Sequence, residues 1–281
     1  MCDTCGCSVT PANAHLVQAG GKLERTAAGK SSVEVLAGLL HENDHQAAHN
    51  REHFDHHSVL AINLMSAPGS GKTSLLEATI DALGKEFRIA VIEGDLETEN
   101  DAVRIRARGV PAVQITTGQA CHLDAHMVHD ALHALDLDQV DLLFIENVGN
   151  LVCPASFDLG HHASVTLLSV TEGDDKPAKY PVMFRVADLV LLTKADFLDF
   201  MDDFDPAKAE RHVRELANEA AVLTLSVRRP DSLKPWTDWL RQHVTNHCAG
   251  EMVHRNKQGH KHKHMHRHPD AAVPHVSGAA G

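Results

Sequence analysis

Three observations predict an α/β protein whose mostly parallel sheet is covered by helices on both faces. From residue 58 onward, short apolar runs rich in Val and Leu alternate with segments of helical spacing. The runs are apolar at odd and even positions alike, as strands buried on both faces require. A glycine-rich turn, SAPGSGKT at 66–73, falls directly after the first run and directly before the first helical segment. That is the setting of a phosphate-binding P-loop.

The chain of 281 residues suits one sizeable α/β domain with flexible ends better than two domains. The expected division is an N-terminal Cys motif with a flexible His-rich segment at 1–57, the nucleotide-binding domain at 58–247, and a disordered His-rich tail at 248–281. Hydrophobic residues at 43% can build a core, whereas 4% aromatics and a formal charge of -12 argue against nucleic acid. The start has no basic-then-apolar leader, and no run reaches the ~18 apolar residues of a membrane span. No membrane association and a cytoplasmic location are therefore expected. Thiols stay reduced there, so clustered cysteines read as metal ligands or redox groups.

Within 8–57, little pattern is visible beyond a short helix at 31–40. SVLAINLM (58–65) reads as a buried strand and TSLLEATIDALGK (73–85) as an amphipathic helix. RIAVIEG (88–94) is a second strand, DAVRIRARG (101–109) a helix and VPAVQIT (110–116) a third strand. CHLDAHMVHDALHAL (121–135) has helical spacing, and VDLLFIEN (140–147) is a fourth strand. SVTLLSV (164–170), ADLVLLT (187–193) and AVLTLSV (221–227) are further apolar runs. Order is expected to end after the helix near DSLKPWTDWLRQHV (231–244), because residues from about 250 on are too polar to bury a core.

Gly69, Ser70, Gly71, Lys72, Thr73 and Ser74 form the expected phosphate cradle. The glycines let backbone N–H groups turn toward phosphate oxygens, and the following helix points its positive end there. Lys72 reaches the β- and γ-phosphates, and Thr73 offers its hydroxyl to Mg²⁺. TKAD (Thr193, Lys194, Ala195, Asp196) follows a strand, where a carboxylate can accept both the N1–H and the exocyclic amine of guanine. GTP is expected over ATP. The strand ends at Glu93-Gly94-Asp95 and at Glu146 complete the site. Asp95 is the candidate for Mg²⁺ or the attacking water, and Glu146 with Gly149 for the loop that senses the γ-phosphate. Lys72, Asp95 and Glu146 are the candidate catalytic set.

Cys121, His122 and Cys153 lie just past strand ends on the same edge; two thiols and an imidazole suit Zn²⁺ or Ni²⁺. Water or a second subunit could supply a fourth ligand. The chain has 23 histidines. His41, His45, His49, His53 and His57 recur every four residues, which on a helix makes one stripe whose adjacent pairs could chelate Ni²⁺, Zn²⁺ or Cu²⁺. HRNKQGHKHKHMHRH (254–268) repeats the theme at the tail. Cys2, Cys5 and Cys7 are too closely spaced for a typical zinc finger. With the terminal amine they could make a four-donor site suited to Ni²⁺.

These motifs together resemble the HypB family, the nickel-insertion GTPases of [NiFe]-hydrogenase maturation. The terminal Cys-x-x-Cys-Gly-Cys, SAPGSGKT, the Glu93–Asp101 run, Gly-Gln-x-Cys-His at 118–122, Glu-Asn-Val-Gly-Asn-Leu-Val-Cys-Pro at 146–154, Lys-Tyr-Pro at 179–181 and Thr-Lys-Ala-Asp carry the likeness. The resemblance implies a SIMIBI-type G domain that hydrolyses GTP and forms a homodimer in its GTP state. It implies Cys121, His122 and Cys153 as a metal site coupled to the nucleotide. It also implies a small zinc-containing nickel chaperone partner and delivery to the hydrogenase large-subunit precursor. The His tracts look like those of members that also store nickel. A nickel buffer and a urease-serving nickel GTPase are the alternative functions. One departure is Ser226-Val227-Arg228-Arg229-Pro230, where the family usually carries glycines near the guanine.

Overall fold

The computed structural model describes residues 32–95, 99–118 and 120–263. Seven strands form one sheet: β1 (Leu60–Ser66), β2 (Ile89–Asp95), β3 (Ala112–Thr116), β4 (Leu142–Glu146), β5 (Ala163–Ser169), β6 (Leu189–Thr193) and β7 (Ala221–Thr224). Their order is β3-β2-β4-β1-β5-β6-β7, and every pairing is parallel. The central strands β1, β4, β5 and β6 are buried along their whole length, which explains their unbroken apolar runs.

Among the described residues the α-helices are α1 (Ser32–His57), α2 (Lys72–Leu83), α3 (Asn100–Arg106), α4 (Ala125–Leu132), α5 (Lys176–Lys179), α6 (Pro181–Arg185), α7 (Pro206–Glu215) and α8 (Lys234–Lys263). Alternation along each strand splits the core between the two faces. Leu60, Ile62 and Leu64 join Leu75 and Leu83 of α2 and Trp236 and Leu240 of α8. On the other face Ala61 packs with Phe54 of α1 and Val128 of α4, and Met65 with Phe184 of α6 and Val213 of α7. Trp236, fully buried, keeps its indole N–H satisfied by Thr79 Oγ1 at 2.9 Å.

Three expectations change. The His-rich stretch up to 57, expected to be flexible beyond a short helix at 31–40, is one helix docked on the domain. Asn43, Ala47, Asn50 and Phe54 follow one another at spacings of four, three and four, and all are buried. The docking is half polar, which hides it from a reading based on apolar periodicity. Asn43 Oδ1 accepts the Ala125 N–H at 2.9 Å, and Asn50 Nδ2 donates to the carbonyls of Ala125 and Leu159. At the far end, α8 runs through Lys263, beyond the expected stop. A helix whose first turns are anchored by Trp236 and Leu240 extends at one hydrogen bond per residue, without the cost of nucleation. Finally, α7 has no counterpart in the sequence reading: only Ala209 and Val213 of its ten residues are buried, too few to show a stripe.

Cys2, Cys5 and Cys7, and the histidines beyond residue 263, lie outside the described residues. Among the described residues no helix is long and apolar enough to cross a membrane.

Candidate functional site

The loop between β1 and α2 turns on two glycines in the left-handed region, Gly69 at φ 76° and Gly71 at φ 98°. A side chain at either would be strained, and neither position has a neighbour within 4 Å of where a Cβ would stand. The loop therefore presents bare backbone to a cavity of about 500 Å³ at the carboxyl edge of the sheet. Lys72, Thr73, Ser74, Glu93, Asp95, Asp101, Glu146, Gly149 and Lys194 also line it. Lys72 Nζ lies 3.1 Å from Ser66 Oγ and 3.9 Å from Glu146 Oε1, while Thr73 Oγ1 donates to Glu146 Oε1 at 3.0 Å. Ser66, at the start of the loop, thus anchors the lysine. Thr193 Oγ1 holds the loop from the side by donating to the Ser70 carbonyl at 2.8 Å.

Glu93 and Glu146 are register partners on neighbouring strands, so the sheet forces their carboxylates together. With Asp101 they form a group whose oxygens all lie within 4.8 Å of one another. Burial first, then the Glu146 charge, pushes Glu93 up to about 11. Burial also raises Glu146, against the pull of Lys72. Glu93 Oε1 and Glu146 Oε2 are buried without a hydrogen-bond partner. Buried orphan carboxylate oxygens of this kind fit a hard cation such as Mg²⁺. The sequence does not point to Glu93 or Asp101 as ligands; the register between β2 and β4 singles out Glu93, and α3 brings Asp101 to it. Asp95 lines the same cavity but stands outside that trio.

The raised Glu93 has a thermodynamic consequence. At neutral pH the folded chain holds a proton there that the unfolded chain, near the ordinary 4.5, releases. Its stability contribution is whole below about pH 4.5 and declines as pH rises toward about 11. Glu93→Gln removes the titration. The variant is expected to gain about 1–3 kcal/mol at pH 8 and little at pH 4.5, read from urea midpoints at both values. An equal shift at both pH values refutes the assignment.

A second pocket of about 260 Å³ adjoins the first and shares Gly71, Ser74 and Lys194 with it. β7 stops at Thr224, three residues short of the apolar run, so that Leu225 and Val227 can line this pocket. Asp196 sits in its wall. A hydrogen bond from Ser226 Oγ at 2.6 Å, helped by Arg228 and Arg229, holds its carboxyl below the usual range. Asp196 is thus an ionised acceptor beside the phosphate cavity. The Arg228 guanidinium lies 5.9 Å from the Phe197 ring centre, so the segment that departs from the glycine-bearing form builds a charged rim.

Cys121, His122 and Cys153 converge. The two sulfurs are 2.9 Å apart, Cys121 Sγ is 3.7 Å from His122 Nδ1, and the three donors lie within 4.8 Å. Burial pushes His122 down, against Asp124, so its ring is a neutral, ready ligand. Phe157 stacks on that ring at 4.0 Å and fixes its orientation. Soft thiolates with a neutral imidazole fit a borderline ion such as Ni²⁺ or Zn²⁺.

One stretch of chain links this cluster to the phosphate loop. A Cβ on Gly149 would stand 2.9 Å from Pro68 Cα, so segment 147–150 lies hard against the P-loop. Asn147 Oδ1 accepts the Leu123 N–H at 3.1 Å, and Asn150 Nδ2 donates to the Cys121 carbonyl at 3.3 Å. Cys153 follows on the same stretch. Leu123 in turn fills the space a side chain at Gly94 would need. His41, His45 and His49 are exposed on α1, and His53 and His57 are half-buried. Cys248, half-buried on α8, packs against the α2 side of the core.

The parallel sheet, the glycine loop and the lysine beneath it define a P-loop nucleotide-binding protein. The family profile described as CobW/HypB/UreG, nucleotide-binding domain, matches residues 60–224. The hydrogenase maturation factor HypB of Azotobacter vinelandii is 50% identical over 233 residues, covering 82% of this chain and 76% of its own length. The crystal structure of HypB from Helicobacter pylori in complex with nickel superposes with a TM-score of 0.70 at 43% identity, covering 73% of this chain and 96% of that one. HypB from Archaeoglobus fulgidus gives 0.68 at 40% identity, covering 73% of this chain and 100% of its own. The chain belongs to the HypB family of hydrogenase maturation factors.

Proposed function

We propose that this chain is a GTP-hydrolysing nickel metallochaperone that assists Ni²⁺ insertion into the large subunit of a [NiFe]-hydrogenase. The observation that carries the reading is the short physical connection between the phosphate cavity and the Cys121–His122–Cys153 cluster. Lys72 and the backbone of Gly69–Gly71 would bind the phosphates, and Thr73, Glu93, Asp101 and Glu146 would hold Mg²⁺, which neutralises charge on the transferred phosphoryl group. Asp95, which lines the cavity, would orient the attacking water. Asp196 would select guanine by accepting its N1–H and amine.

Removing the γ-phosphate would free segment 147–150 to shift against Pro68. Asn147 and Asn150 would pass that shift to Leu123 and Cys121, altering the grip on the ion. By linkage, nucleotide state and metal affinity must then influence each other equally. The GTP-bound homodimer, the small zinc-containing chaperone partner, the hydrogenase precursor, resting Zn²⁺ and a cytoplasmic location belong to the same proposal. Nickel storage by the His tracts is a separable part of it.

The test uses the full chain with Cys2, Cys5 and Cys7 changed to Ser. Deleting 41–57 is unsuitable, because it would strip Phe54 from the core. Nickel titrations with GDP and with a non-hydrolysable GTP analogue are expected to differ by roughly 5- to 150-fold in affinity. Equal affinities reject the coupling.

A further inference from the structure

The stripe of imidazoles on α1 does not face solvent alone. The ring of His49 lies 4.9 Å from that of His53 on the same helix and 5.1 Å from that of His129 on α4. His53 lies 5.9 Å from His129, and His129 5.0 Å from His133, which caps α4. Two pairs spaced four residues apart thus meet across one helix seam, beside a hollow of about 290 Å³ lined by His53, His57, His129 and His133. Metal–nitrogen bonds of about 2.0–2.1 Å place the ring centres of two tetrahedrally disposed imidazoles roughly 5 Å apart. The spacings among His49, His53 and His129, and that from His129 to His133, bracket that value; side-chain rotation of the partly exposed rings is what brings the nitrogens to a common point.

Protonation is arranged for ligation as well. Asn50 Nδ2 donates to two backbone carbonyls, which leaves its Oδ1 as an acceptor. Its 3.2 Å contact with His129 Nδ1 therefore places the proton on Nδ1 and the lone pair on Nε2. His49 Nδ1 is 3.5 Å from the Gln46 amide, at the outer limit of a hydrogen bond, and can take either tautomer. Burial, then the neighbouring histidines, pushes His53 down; burial, then His133 and His49, does the same to His129.

The cluster of Asp55, His162 and His247 lacks this arrangement, although its atoms lie within 4.8 Å of one another. His162 Nδ1 accepts the Ala61 N–H at 3.0 Å, so Nε2 carries the proton shared with Asp55 at 2.9 Å. His162 therefore has no lone pair to offer an ion.

We infer that His49 and His53 of α1, with His129 and His133 of the α4 segment, form an interhelical site for a divalent transition-metal ion of borderline softness. The site is separate from the thiol cluster and needs no nucleotide. An ion bound there clamps α1 to α4, so binding stabilises the docked helix as well as holding metal.

The test is Zn²⁺ titration of the full chain against a chromophoric chelator. His49→Ala/His53→Ala is expected to lose one bound equivalent, and His129→Ala/His133→Ala the same one. The quadruple variant should again lose only one, since all four side chains serve one ion. Additive loss of two equivalents would show two independent helical pairs and overturn the proposal, as would no loss in either double variant. Circular dichroism checks folding. Should a double variant unfold, the exposed His133→Ala change alone is expected to weaken the same equivalent by at least tenfold; unchanged affinity there also overturns the site.

Discussion

Lys72→Ala is expected to lower GTP turnover by about 10²–10³-fold, measured as phosphate release at saturating GTP and Mg²⁺. Lys72 is the cation placed beneath the glycine loop, 3.9 Å from a Glu146 carboxylate that is itself buried. Without it the phosphates lose their point charge, and Glu146, whose ionised form Lys72 favours, is pushed further toward protonation. Two losses then combine: weaker stabilisation of developing charge, and an acidic trio that keeps its proton. Lys72→Arg separates them, since it keeps the charge but not the fit. It should retain part of the acid-pair ionisation while remaining slow. Turnover of the Ala variant within a few-fold of the parent would remove Lys72 from the proposed machinery.

The second large effect is expected for Cys121→Ser/Cys153→Ser. Both thiolates go, leaving His122 as the sole member of the cluster, and a lone imidazole does not retain a borderline ion. Affinity at this site should fall by more than about 100-fold, beyond what loss of an outer-shell contact costs. The dependence of nickel binding on the bound nucleotide should vanish with it. Direct metal analysis on the chain with Cys2, Cys5 and Cys7 also changed reads the first effect, and the two-nucleotide titration reads the second. Nucleotide-dependent binding that survives in this variant would mean that the responsive ligands are elsewhere.

The fold was legible because its signals are local and repeated. Val- and Leu-rich runs separated by helical spacing declare a parallel sheet, and a Gly-rich turn in a strand-to-helix junction declares a phosphate site. Helix α1 was not legible beyond its first turns. Its docking uses Asn43 and Asn50, whose partners are backbone groups more than 70 residues away, and an Asn in a His-rich stretch looks like solvated surface. The acidic trio was half legible: Glu93 and Glu146 both stood out as strand ends, but which carboxylates meet depends on the register between β2 and β4.

What the sequence determined by itself was the architecture, the loop that cradles phosphate, and the kinds of donor available for metal. Each of these rests on short-range chemistry: side-chain alternation, glycine at positive φ, thiol and imidazole softness. Only the tertiary structure decided which donors meet. It brought Cys153 to Cys121, set Glu93 against Glu146, and laid the histidines of α1 beside those of α4. The reason is that a strand or helix fixes direction only along itself. Proximity across elements is set by sheet order, register and the packing of distant side chains, and no window of the chain contains these.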